Sequence, residues 1–193
     1  MEKLTHDDLL SLRQYRQERD AWRRRIVEMK RKRRMAVGDK VTLVFENRDT
    51  VRFQVQEMLL AELITEREMV QQELEAYNPL IPEANELSAT LLIEIPDQAL
   101  VRQELDRLVG LHEYVWLKIG DEHKVHAWFE PGTYTEERIA AVQYIKFRLA
   151  PEEMEAFKRG QGEVAVVSGH PNYKVEGRML EAVRETLARE LGT

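Results

Sequence analysis

The sequence contains no cysteine. That excludes disulfides, thiolate zinc sites, cysteine-held iron–sulfur clusters and a cysteine nucleophile within the chain. Aromatic residues make up only 7% of its 193 residues. No apolar run approaches the roughly 20 residues that cross a bilayer. The first residues, Met1-Glu2-Lys3-Leu4-Thr5-His6-Asp7-Asp8, lack the basic-then-apolar layout of a signal peptide, so a cytoplasmic location is expected. Several motifs are also missing. There is no His-Glu-x-x-His or Glu-x-x-His, no Gly-x-Ser-x-Gly, no Gly-x-Gly-x-x-Gly and no phosphate-binding loop. These absences argue against zincin, diiron-bundle, serine-hydrolase and common nucleotide chemistry. No metal set is assigned, and the sequence specifies no cofactor. What remains is 43% hydrophobic and 33% charged, a composition that folds.

The net charge of −6 conceals a polarity. Residues 13–34 hold 11 Lys/Arg against 3 acids, a balance of +8. The remainder holds 18 bases and 32 acids, a balance of −14. The basic stretch can dock on an acidic body, its own or a sister subunit's, or grip an external polyanion. Docking is preferred because the body carries the matching excess. Nucleic acid is the weaker alternative: the chain is acidic overall, and the arm has no known recognition motif.

Leu12, Tyr15, Trp22, Ile26 and Met29 recur on one face of a helix. Arg19 falls on that stripe, where it must reach solvent or pair with an acid. Thr5 is read as a helix cap and Gly38 as the end of the arm. Val41 to Glu46 reads as a strand, Asn47 to Thr50 as a turn, and Val51 to Gln56 as a second strand. A helix is expected from about Glu57 to Glu75, ended by Tyr77-Asn78-Pro79. Further strands are expected at 87–95, 113–119, 124–129, 142–149 and 163–167. Helices are expected at 96–109, 151–160 and about 177–191, with 168–173 as a loop and Gly160-Gln161-Gly162 as a turn. The expected fold is α+β, a mostly antiparallel sheet of about seven strands with flanking helices. A basic helical arm over 1–38 precedes a single domain over 39–193.

Polar residues crowd the expected hairpin: Glu46, Arg48, Gln54, Gln56 and Glu57. Glutamines are poor strand formers, so a face carrying Gln54 and Gln56 is either solvated or a ligand-binding floor. Glu57 and Glu62 are candidate partners for Arg19 and Arg23. His170, between Gly169 and Pro171, is free to serve function or to bond backbone.

Several strings carry a resemblance. They are Lys30-x-x-Arg33-Arg34-x-x-x-Gly38, Thr42 to Arg48, Phe53 to Leu59, Glu73-Leu74-x-Ala76 through Pro82, and His170-Pro171-x-Tyr173. From Leu4 to Leu191 the chain resembles a bacterial family known only as domain of unknown function 3501. The resemblance implies no established activity. It implies genomic company with a rubrerythrin-like protein and an iron–sulfur oxidoreductase, hence an accessory role in a redox system with these as partners. The family pattern shares Tyr15, Arg19, Arg23, Lys30, Arg33, Arg34, Glu46, Arg48, Gln54, Gln56, Glu57, Tyr77, Asn78, His170 and Tyr173. Arg24, Arg25 and the loop 120–124 depart from it.

The leading expectation is an anionic-ligand or partner-binding protein. In it Arg19, Arg23, Lys30, Arg33 and Arg34 meet the polar face of Glu46, Arg48, Gln54, Gln56 and Glu57, beside His170 and Tyr173. The alternative is an enzyme using His170, Tyr173 and Glu57 as acid–base groups. A homodimer is left open.

Overall fold

The computed structural model describes residues 1–160 and 162–192. The element order is α1 (Leu12–Arg31), β1 (Arg34–Val37), β2 (Val41–Phe45), α2 (Arg48–Ala61), α3 (Arg67–Tyr77), β3 (Glu86–Ile93), α4 (Val101–Arg107), β4 (Val115–Ile119), β5 (His123–Phe129), β6 (Val142–Arg148), α5 (Pro151–Arg159), β7 (Val164–His170), β8 (Tyr173–Arg178) and α6 (Glu181–Ala188). The strands form one antiparallel sheet in the order β1-β2-β3-β6-β5-β4-β7-β8. Its two edges, β1 and β8, lie against one another, so the sheet curls almost into a barrel.

Alternation along the strands fills the interior with Leu43, Phe45, Leu91, Leu117, Ile145 and Phe147. Phe157 of α5 and Val183 and Leu187 of α6 join the same core. A second apolar cluster unites Leu4 with Val51, Val55 and Leu59 of α2 and Leu74 of α3. The helical layer therefore packs on the outside of the sheet, where Tyr144 of β6 meets it.

The α+β class and the antiparallel sheet match expectation, but there are eight strands among the described residues and the first hairpin is absent. Residues 51–56 are helical. Asn47 caps α2 by accepting from the Thr50 amide at 3.0 Å, and the Thr50 hydroxyl accepts from the Asn47 amide at 2.9 Å. Val51, Val55 and Leu59 then recur every four residues and are buried. An alternating run of six residues satisfied both periods, and the cap with its next turn decided between them. The helix expected over 57–75 is split. α2 ends at Ala61, Leu63 turns left-handed at φ 55°, and α3 restarts at Arg67.

Two strands were missed. The basic helix stops at Arg31, and residues 34–37 pair with β2. Gly38, at φ 73°, turns that hairpin rather than ending a helix. The second is β8: residues 173–178 pair with residues 165–170, joined by Pro171-Asn172. The last helix accordingly starts at Glu181. Thr5 caps only a single 3-10 turn, and Ser11 caps α1. Gln161, in the expected Gly160-Gln161-Gly162 turn, lies outside the described residues.

Candidate functional site

The inward stripe of α1 meets α2 through one ionic knot. Arg19 donates to both oxygens of Glu57, from Nε and a terminal nitrogen, each at 2.7 Å. The Tyr15 hydroxyl donates to the same carboxylate at 2.6 Å. Tyr15 and Ile26 are buried, whereas Arg19 and Glu57 stay partly open to water. The hydrogen bond from Arg19 holds the Glu57 carboxyl below its ordinary range, with Tyr15 adding to it. Burial, then the Glu57 charge, pushes the Tyr15 phenol well above its ordinary value. Trp22 stands edge-on to Tyr15 at 5.5 Å, with the Arg52 guanidinium over its ring at 4.6 Å. The arm is thus held by a bidentate fork, a phenol and a cation–π contact, all with fixed directions. Glu62 takes no part in the knot.

The amides expected to form a binding floor work separately. On a helix, Gln54 and Gln56 point about 200° apart, so no shared amide face exists. Gln56 is fully buried, and its amide clamps the backbone of Leu10, accepting from its N–H at 2.6 Å and donating to its carbonyl at 3.3 Å. Asn78 does the same to Leu4, at 2.7 and 2.9 Å. Arg48 reaches the Glu2 carbonyl at 3.1 Å and Asp8 at 2.5 Å. These three residues strap the chain's first ten residues onto α2 and the turn after α3. Tyr77 borders that second cluster.

The remaining cations lie elsewhere. Arg33 is buried and pairs with Glu190, which also accepts from Asn47 at 3.1 Å. Arg34 meets Glu94 at 2.8 Å on the far side of β1. Glu46 is buried and accepts from the Thr90 hydroxyl at 2.7 Å. Gln54 is half-buried, as is Lys30 beside β1, and Arg23 is exposed near the Glu57 charge. The twelve residues singled out in the sequence therefore divide among the α1–α2 seam, the strap, the β1 end and the β7–β8 hairpin.

On that hairpin, His170 and Tyr173 face each other across the turn. The Asn172 amide donates to His170 Nδ1 at 3.3 Å, which leaves Nε2 to donate to the Val109 carbonyl at 3.0 Å. The Tyr173 hydroxyl donates to the Val37 carbonyl at 2.6 Å and accepts from the Lys40 and Val41 amides at 2.9 and 3.2 Å. Both groups are buried and committed to backbone. Glu57 is committed to the seam, so the acid–base trio is not assembled. Among the described residues no three His, Asp or Glu side chains gather as a metal site, and no helix is long and apolar enough to cross a membrane.

The sequence reading missed the walls around His170. Tyr114 stands edge-on to His170 at 5.4 Å, and His112 stacks on Tyr134 at 4.0 Å. Three separate chain segments supply these rings, so no local pattern joins them. The only signal in the sequence is the crowding of His112, Glu113 and Tyr114.

No curated protein matches the chain. A solved structure from Burkholderia pseudomallei K96243, described as a novel protein of unknown function, is 34% identical and superposes with a TM-score of 0.92. The match covers 98% of this chain and 100% of that one. The family model described as "Protein of unknown function (DUF3501)" matches residues 3–191, and the chain belongs to that family.

Proposed function

We propose that the protein is a non-catalytic accessory that docks an acidic partner surface through the outward cations of α1 and of its carboxyl-terminal cap, Lys32. The observation that carries this is a division within the arm. Arg19 and Arg33 are spent on Glu57 and Glu190. Arg13, Arg16, Arg24 and Lys32 are exposed and make no ion pair with any described residue. Among the described residues Arg31 pairs only with Glu28 of its own helix. The rest of the chain carries a balance of −14 and does not neutralise this ridge. Arg13 and Arg16 stand three residues apart on α1, and like charges at that spacing destabilise a helix by about 0.2–0.5 kcal/mol per pair. A partner's carboxylates would relieve that repulsion and speed association. The genomic company that the family resemblance implies makes the rubrerythrin-like protein and the iron–sulfur oxidoreductase the partners to test, in the cytoplasm.

The experiment is titration of the purified chain against each of these purified proteins, at low and at physiological salt. Arg16→Glu/Arg24→Glu/Lys32→Glu is expected to bind at least about tenfold more weakly than wild type and to lose most of the salt dependence. An affinity indifferent to both salt and charge reversal, or no complex with either protein, overturns the proposal.

A further inference from the structure

A recess of about 670 Å³ opens at the end of the barrel beside the β7–β8 turn. That is the size range of small-molecule sites, roughly 300–1,000 Å³. Its walls are two imidazole–phenol pairs, Tyr134 with His112 and Tyr114 with His170. Glu113 and Glu136 complete it, and no Lys or Arg is among its described lining residues.

Each wall has unspent capacity. The Tyr114 and Tyr134 hydroxyls have no hydrogen-bond partner among the described residues. His112 Nδ1 is buried without a partner among the described residues, so this ring is held by stacking, 27° from parallel with Tyr134. Phe129 supports both rings edge-on, at 6.3 and 6.2 Å. Glu136 makes no ion pair with any described residue, and the Glu113 carboxylate lies 4.0 Å from His112 Nε2.

From this geometry we infer that the recess binds an organic cation, an ammonium or guanidinium carried on an apolar body. Aromatic faces attract cations through their quadrupole, and the Glu113 and Glu136 carboxylates add to that field. The phenol oxygens accept N–H donors, and the ring walls take the apolar body. The same field repels carboxylates and phosphates. His170 becomes a fixed wall rather than a reacting group. The cation belongs either to a free amine or to a Lys or Arg side chain of another protein, and the two sources share this chemistry. The site is separate from the α1 ridge, so the two proposals fail independently.

The test uses three probes of one shape: phenethylammonium, 2-phenylethanol and 3-phenylpropionate. A capped Ala-Lys-Ala peptide serves as the side-chain probe. Binding to the full chain is followed by the ring resonances of His112 and Tyr134. The ammonium is expected to bind at least about tenfold more tightly than the carboxylate, with the alcohol between them. Tyr134→Ala is expected to weaken the ammonium about tenfold. Glu136→Gln, at an exposed position that leaves the fold intact, is expected to weaken it about threefold. Binding of the peptide as well points to a protein side chain, and binding of the free amine alone to a metabolite; both support the inference. Equal binding of the three probes, tighter binding of the carboxylate, or ring resonances that do not move at the solubility limit overturn it.

Discussion

Gly177→Ala is expected to destabilise the protein by about 3 kcal/mol or more, the upper range for overpacking. Gly177 lies on β8 where that strand crosses β1. A methyl group there would stand 2.3 Å from the Ala36 carbonyl oxygen and 2.8 Å from Val37 Cα. Both are backbone atoms of an adjoining strand, so no side chain can rotate away. The two edges must separate, and the seam between them is what closes the sheet. β1 follows directly from α1, so opening the seam also loosens the arm's carboxyl-terminal anchor. Urea unfolding of the variant checks this: a midpoint near wild type would show that β8 does not hold β1.

Tyr173→Phe is the companion case, with an expected cost of about 2–3 kcal/mol. The lost hydroxyl serves one carbonyl and two amides of the β1–β2 turn at once. Phenylalanine fills the same volume and leaves those groups short of partners in a buried place. An unmade buried hydrogen bond costs about 1–3 kcal/mol, and the turn relaxes only in part. Hydrogen exchange reads the effect locally: the Lys40 and Val41 amides should exchange faster, while amides of β4 and β5 keep their relative protection. Uniform loss across the sheet, or no change at Lys40, would place the role of Tyr173 elsewhere.

Elements bounded by strong local signals were legible in the sequence. Pro151-Glu152-Glu153 and Gly160 bracket α5, and the turn before His123 separates β4 from β5. β1 was not legible, because four residues with a charged first position sit directly behind a basic helix. β8 was hidden by Gly177 near its end, since strands seldom favour glycine and here it serves close approach. Residues 51–56 misled because helix and strand periods coincide over so short a run. At the seam, an arginine on an apolar stripe left two outcomes open, solvent or an acid, and Glu57 is the acid it meets. The recess walls are different. His112, Tyr134 and His170 come from distant stretches, and only closure of the barrel end brings them together.

The division of the arm into cations spent inward and cations facing water is tested most directly by phenylglyoxal modification of the native chain, read residue by residue by mass spectrometry. Arg13, Arg16 and Arg24 are predicted to react as freely as arginines in a peptide, while Arg19 and Arg33 stay protected until the chain unfolds. Equal reactivity along the whole arm, or protection of Arg16 and Arg24 in the isolated protein, would contradict a helix docked by Glu57 with its charge held out for a partner.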